Sequence, residues 1–326
     1  MLLDLLMQIP PSHWCQFICV TIGVAVIANT VAPDSLRDQL FCYGARQASP
    51  AVTAESQGKD KNTKEETSKG HLRPSLKILR LLLTYTGMLI PVPHSWFTHF
   101  YIMITAANVF WIYQYYSQGF IMRFIATKEV QLSTEPKFVP LERILAGMAM
   151  LSFQGVRRLL ECLFVLKHSP NSYMLSMHWF LTFFFYTSVS VAVWIEGSST
   201  MLNPVYTSSP AAIARIILIT PIFLAFSYGQ NHSHKHLASL KKYTLPTAGL
   251  FKYFVCPHYF CECMIYICFT VMTAPAGSMV NKTMLSALFF TAANLGVTSG
   301  STRIWYQDKF GKDGVAKRWN MIPFVF

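Results

Sequence analysis

Charged side chains are scarce in this chain: Asp, Glu, Lys and Arg make up 13% of its 326 residues, about half the share of an ordinary soluble domain. Hydrophobic residues take 52%. A water-soluble core cannot absorb that surplus, so a soluble globule is excluded and apolar surface must face lipid. Lys and Arg are missing ahead of the first apolar run, where Pro10 and Pro11 stand instead. The basic n-region of a cleaved secretory signal is therefore lacking, and a retained first helix is expected. No internal repeat of solenoid period is found. Most cysteines fall inside apolar runs, at 15, 19, 162, 261, 263 and 268, where they serve as small hydrophobes and imply no disulfide framework.

What the chain has is a series of uninterrupted apolar runs, each near the roughly 20 residues a helix needs to cross the hydrocarbon layer. Spans are expected at about 13–32, 97–117, 142–166, 173–195, 211–229, 254–276 and 283–302, all helical because lipid offers backbone groups no other partner. The predicted fold class is all-α: one polytopic membrane domain over 1–326 with about seven transmembrane helices. The stretch 76–91 is apolar too, but Lys77, Arg80 and Pro91-Val92-Pro93 suit an interfacial or half-inserted helix. Residues 47–70 are polar, of mixed charge and nearly without large apolar side chains, the composition of a disordered loop.

The 27 basic residues against 15 acidic would suggest nucleic acid in a soluble protein, but here sidedness explains them and no nucleic acid is expected. Segment 33–75 carries Arg37, Arg46, Lys59, Lys61, Lys64, Lys69 and Arg73, so the positive-inside rule puts it in the cytosol and the N-terminus in the lumen. Alternation then places 230–252 (Lys235, Lys241, Lys242, Lys252) and the tail (Lys309, Lys312, Lys317, Arg318) inside, with 196–210, free of Lys and Arg, outside. The external loop 118–141, with Arg123, Lys128 and Lys137, is the exception.

Polar residues gather in four places. Gln230-Asn231-His232-Ser233-His234-Lys235-His236 follows the fifth span. A solvated basic loop and an anion-binding loop for a phosphorylated cofactor both fit it. Membrane di-iron enzymes need several HxxHH boxes, and ten histidines with this single cluster do not supply them, so no metal is expected. Cys256-Pro257-His258-Tyr259-Phe260-Cys261-Glu262-Cys263 has zinc-type side chains, but Cys261 and Cys263 point to different sides of a helix. Glu262 in that apolar setting marks a structural pairing or a polar site inside the bundle. In the third span, Glu161 stands three residues from Arg158 and four from Arg157, natural for an ion pair, and Gln154 one turn before them makes a polar stripe. His99 could share that cavity or be an interfacial histidine. Near the C-terminus, Arg303 and Tyr306 suit membrane anchoring and ligand contact equally. Asn281-Lys282-Thr283 is a glycosylation sequon in a short external loop, and Asn231-His232-Ser233 a second one on the cytosolic side.

Read together, Val92-Pro93-His94-Ser95-Trp96-Phe97-Thr98-His99-Phe100-Tyr101, Gln154 to Val165, Gln230 to Lys242, Tyr253 through Glu262 to Tyr266, and Ile322-Pro323-Phe324-Val325-Phe326 resemble the steroid 5-alpha-reductase family, most closely its polyprenal reductase branch of dolichol synthesis. Each motif is weak alone; collinear over about 230 residues they are specific. The resemblance implies a seven-helix fold with NADPH between cytosolic loops and C-terminal helices, a long-chain polyprenyl lipid substrate, endoplasmic reticulum residence, a role in protein N-glycosylation and no obligate protein partner. Carried over by position, cofactor contacts are Gln230, His234, Lys241, Tyr243, His258, Glu262, Arg303 and Tyr306; the catalytic end comprises Gln154, Arg158, Glu161, His99 and Tyr306.

Two departures stand out. His258 occupies a position where relatives commonly carry Asn, and Arg303 one where they carry His. Arginine does not donate a proton at neutral pH, which leaves it phosphate or carbonyl contact. Reduction of a C=C bond needs a sink for the intermediate charge. A conjugated carbonyl provides one and an allylic alcohol does not, so polyprenal is the expected direct acceptor and polyprenol its precursor. The alternatives are a reductase of another conjugated lipid, such as a 3-oxo steroid or enoyl thioester, and a non-catalytic transporter or scaffold using Glu161 and Glu262 as ion-pathway groups.

Overall fold

Runs of about twenty apolar residues, bounded by prolines and polar turns, fold as helices whose backbone groups are satisfied within each segment. The computed structural model describes residues 8–31, 85, 88–134, 137–167, 172–204, 209–241 and 243–326; the loop expected at 47–70 and most of 76–91 lie outside them. Among the described residues the long helices are α1 (Pro11–Thr30), α2 (Phe97–Tyr116), α3 (Phe120–Leu132), α4 (Leu141–Phe164), α5 (Ser176–Ile195), α6 (Pro210–Ser239), α7 (Pro257–Met272) and α8 (Lys282–Phe310). All but α3 coincide with the expected spans. By length and composition, α1, α5 and α6 are apolar enough to cross a membrane.

Several boundaries differ from the sequence reading, and the last span, expected at 283–302, runs on to Phe310. The loop expected at 118–141 contains α3, whose buried Met122, Ala126 and Glu129 recur at helical spacing. The span expected from 173 begins at Ser176, because Tyr173–Leu175 pairs antiparallel with Pro91–Pro93. The fifth span expected to end at 229 continues to Ser239, so the histidine-rich stretch is helix rather than loop. Thirty residues rise about 45 Å, about 15 Å more than the hydrocarbon layer. The last turns of α6 thus stand at one end of the bundle.

The helices alternate in direction, and buried staples define the end opposite to the α6 extension. Glu129 accepts from the Ser12 backbone N–H (2.8 Å) and hydroxyl (2.7 Å) in the first turn of α1. Glu196 does the same for Thr283 in the first turn of α8, at 2.8 and 2.9 Å. Each carboxylate satisfies an orphan donor where the helix dipole favours negative charge. Arg143, at the start of α4, donates to the carbonyls of Met272 (2.8 Å) and Ala274 (2.7 Å) at the C-terminus of α7, the reciprocal arrangement for a cation. α1 packs along α8, α6 along α7, and α2 against α4 and α5. Gly23 permits the first contact: a Cβ there would meet the Phe289 ring at 2.7 Å.

Asn281 is the N-cap of α8, 1% exposed, its side-chain oxygen accepting from Met284 N–H and its amide donating to Ala192 O and Thr273. The sequon's acceptor nitrogen is therefore enclosed. We expect no glycan at Asn281: the gel mobility of membrane-expressed protein should be unchanged by N-glycanase, and a shift abolished by Asn281→Gln would contradict this placement. The seven cysteines among the described residues are free.

Candidate active site

The site forms where four helices meet at the end marked by the α6 extension. α4 presents Gln154, Arg157, Arg158 and Glu161 at i, i+3, i+4 and i+7, one face of a helix. α6 answers with Ser227, Gln230 and His234 at the same kind of spacing, all buried. α7 contributes His258 and Glu262 from its first two turns, and α2 contributes Tyr101.

These side chains make one connected network. Glu161, 2% exposed, accepts from both Arg157 and Arg158 and from Asn231 Nδ2 at 2.6 Å. Arg157 also donates to Gln154 Oε1 (2.7 Å) and to Gln230. Gln154 Nε2 donates to Gln230 Oε1 (3.0 Å) and Glu262 Oε2 (3.2 Å), and Gln230 Nε2 also donates to Glu262. Arg158 forks onto the Tyr101 hydroxyl, Nη2 at 2.9 Å and Nε at 3.2 Å. His234 Nδ1 lies 2.7 Å from both Glu161 Oε2 and Arg158 Nη1. One ring nitrogen cannot donate and accept at once, so its tautomer selects which of the two it bonds. Two guanidinium groups face two carboxyl groups, which lets charges this deep coexist at formal neutrality.

Beside this network lies a second assembly built from residues 243–256 and the C-terminal tail. Val255 N–H donates to Trp319 O (2.8 Å), Cys256 N–H to Asn320 O (3.0 Å) and Trp319 N–H to Tyr253 O (2.9 Å). Arg303 fastens the tail with all three of its nitrogens, reaching Asn320 Oδ1, Val315 O and Arg318 O. Arg318 in turn donates to Pro246 O at 2.7 Å. Tyr306 is buried against Val255, Cys256 and Val315. Tyr243, at φ 64°, exposes a ring that lies 6.4 Å from Trp305 and holds Lys309 Nζ over its face at 5.0 Å. Lys241 is exposed at the end of α6. His258 connects the two assemblies, its ring 5.4 Å from His234 and 6.3 Å from Phe251.

Of the residues singled out in the sequence, Gln154, Arg158, Glu161, Gln230, His234, His258 and Glu262 thus converge. Arg303, Tyr306 and Tyr243 belong to the adjoining assembly. His99 sits elsewhere, between the rings of Trp96 (5.4 Å) and Trp179 (6.2 Å). Tyr101 closed one of the quoted segments and Asn231 stood in another, but the sequence reading gave neither a role in the site. Asn231 stood out only as a sequon, yet its amide is committed to Glu161. Three nitrogens are left over: Arg157 Nε, a donor, and His236 Nε2 and His258 Nδ1, which donate or accept according to tautomer, are buried without a hydrogen-bond partner among the described residues. His236 and His258 both flank Phe251, so a polar, acceptor-rich ligand fits this neighbourhood.

Residues 172–326 match the family described as 3-oxo-5-alpha-steroid 4-dehydrogenase, a stretch that includes Gln230, His234, His258, Glu262, Arg303 and Tyr306. A polyprenal reductase of Saccharomyces cerevisiae is 30% identical over 234 residues, covering 72% of this chain and 75% of its own. A polyprenal reductase of Drosophila melanogaster is 24% identical over 263 residues, covering 72% and 76%. A steroid 5-alpha-reductase of Gossypium hirsutum is 34% identical over 110 residues, covering 32% and 40%.

Proposed function

The chain belongs to the steroid 5-alpha-reductase family, in its polyprenal reductase branch, and from that premise we propose that it is an NADPH-dependent reductase of the α-isoprene double bond of polyprenal, yielding dolichal for dolichol and protein N-glycosylation. The observation that carries this reading is the convergence of a charge-neutral polar network with buried nitrogens that have no partner among the described residues, the donor Arg157 Nε and the ring nitrogen His258 Nδ1, at one end of an otherwise apolar bundle. A guanidinium N–H and an imidazole that can present N–H suit the phosphate and amide oxygens of a dinucleotide, and the apolar helices below suit an isoprenoid chain.

In this reading Gln230, His234, His258 and Glu262 hold the cofactor, with Lys241, Tyr243 and Tyr306 at its rim and Arg303 ordering the tail beside it. Reduced nicotinamide supplies hydride when bound. The protein's own work is to orient it, to exclude water and to polarise the aldehyde oxygen, with Gln154, Arg158 and Glu161 at the substrate end and His99 apart from them, against Trp96 and Trp179. The seven long helices other than α3 cross the endoplasmic reticulum membrane, the N-terminus lumenal and the site cytosolic, as the basic loops direct.

Purified protein in detergent with NADPH should consume polyprenal and leave polyprenol untouched. Reduction of polyprenol with no oxidant present would overturn the choice of acceptor. Glu262→Gln and Tyr306→Phe should each raise the NADPH dissociation constant by roughly tenfold, the scale of one hydrogen bond to a charged group. Wild-type affinity in both would mean the cofactor lies elsewhere. The second reading is a 3-oxo steroid as acceptor, favoured by the match to a plant steroid reductase, and turnover on the two substrates side by side decides between them.

A further inference from the structure

Within the network the donors assigned to the substrate end are already spent. Both N–H groups of Gln154 go to Gln230 and Glu262. Arg158 is committed to Glu161 and Tyr101. Tyr101 differs. Its oxygen takes two N–H bonds from Arg158, at 2.9 and 3.2 Å, which fills both lone pairs and turns the hydroxyl hydrogen away from the guanidinium. That hydrogen has no acceptor among the described residues. The ring is 7% exposed and stands between Phe97 (5.5 Å) and Tyr186 (6.1 Å), where the polar network ends and an aromatic wall begins. A phenol that accepts from a cation is a better donor, and a buried donor with nothing to donate to is costly unless a ligand completes it.

We propose that Tyr101 is the group that donates to the aldehyde oxygen, and that Arg158 acts through it as a positioning residue. The assignment rests on the reading of the chain as a polyprenal reductase. As hydride from reduced nicotinamide adds to the β-carbon, the C=C pair shifts toward the carbonyl and the carbonyl π pair moves onto oxygen. That oxygen takes the Tyr101 proton and leaves an enol and a tyrosinate facing Arg158. The enol O–H proton then returns to the tyrosinate while the α-carbon takes a proton from solvent. The sum is one hydride and one solvent proton added across C=C. The titratable and charged groups around Tyr101 are Arg158 and Cys162 on α4, Tyr186 on α5, and Glu262 and Tyr266 on α7.

The test uses the full chain in detergent. In Tyr101→Phe, kcat with polyprenal should fall by roughly 100- to 10,000-fold, the range for loss of a general acid, while the NADPH dissociation constant stays within about twofold. Infrared spectroscopy of a carbonyl-labelled prenyl enal, bound without cofactor, should show a lowered C=O stretch in wild type that returns to its detergent value in the variant. A kcat within threefold of wild type, an unshifted carbonyl in wild type, or NADPH affinity falling in step with kcat would each overturn the proposal. If Tyr101→Phe does not fold, difluorotyrosine at 101 keeps the shape. It should move the alkaline limb of the kcat profile to lower pH, and an unmoved limb counts against the assignment. Wild type that binds the enal with a Tyr101-dependent shift but fails to reduce it with NADPH would sink the reductase reading and support the donor role.

Discussion

Replacing Glu161 by leucine should be among the most damaging single changes in this protein, with a loss of about 3–5 kcal/mol and no measurable turnover. Glu161 is 2% exposed and is the shared acceptor of Arg157, Arg158 and Asn231, with His234 in reach. Leucine fills much of its volume, so the cost is electrostatic rather than steric. The buried Arg158 and the part-buried Arg157 lose their common counter-ion, and the network goes from formal neutrality to an excess positive charge where water screens it poorly. Because the harm is uncompensated charge, removing a cation should relieve it. The double variant Glu161→Leu with Arg157→Met is expected to recover at least half of the lost thermal stability in detergent. It should not recover activity. A double variant no more stable than Glu161→Leu alone would mean that the packing of the carboxylate, not its charge, holds the helices together.

Arg303→Leu should act locally and on function. Arg303 gives one hydrogen bond to each of Asn320, Val315 and Arg318, and these points fix the tail against residues 245–256. The guanidinium is only part-buried, so solvent replaces part of what is lost; a net cost of about 2 kcal/mol is expected from bonds of this class. That loss falls on opening of the tail, since the helices keep their own contacts. Trypsin cleavage at Lys312, Lys317 and Arg318 should therefore quicken by roughly 30-fold while the membrane-embedded remainder stays intact. NADPH affinity should fall with it, because Tyr306 packs on Val315. Arg303→Lys keeps the charge but reaches only one of the three acceptors, so it should resemble the leucine variant. Tail cleavage at the wild-type rate in both would show that the Val255 and Cys256 backbone bonds suffice.

The ion pair of Glu161 with Arg157 and Arg158 was readable from spacing alone, because residues three and four apart on a helix meet wherever that helix lies. The helical state of Gln230–Ser239 was legible in principle through the recurrence of Ser227, Gln230 and His234, but its polar composition resembled a loop. Composition reports solvent, and these side chains are buried against α4 and α7 instead. Asn281 and Asn231 carried a modification signal that local sequence could not cancel, since only the fold reveals the partners that occupy their amides.

What the sequence determined by itself was a membrane-embedded helical bundle, the positions of its helices and the family to which it belongs. Those follow from local quantities: the length of apolar runs, the spacing of polar residues along one helix and collinear motifs. What the tertiary structure decided was which polar residues meet. Tyr101 and Arg158 are 57 positions apart and Gln154 and Glu262 are 108 apart. No periodicity within one helix registers against another across such distances, because the rotation and depth of neighbouring helices are set by packing such as Gly23 on Phe289 and Arg143 on the end of α7. Arg303 shows the same limit from the other side. Its charge suggested a ligand, and the fold gives each of its nitrogens a bond to the protein's own tail.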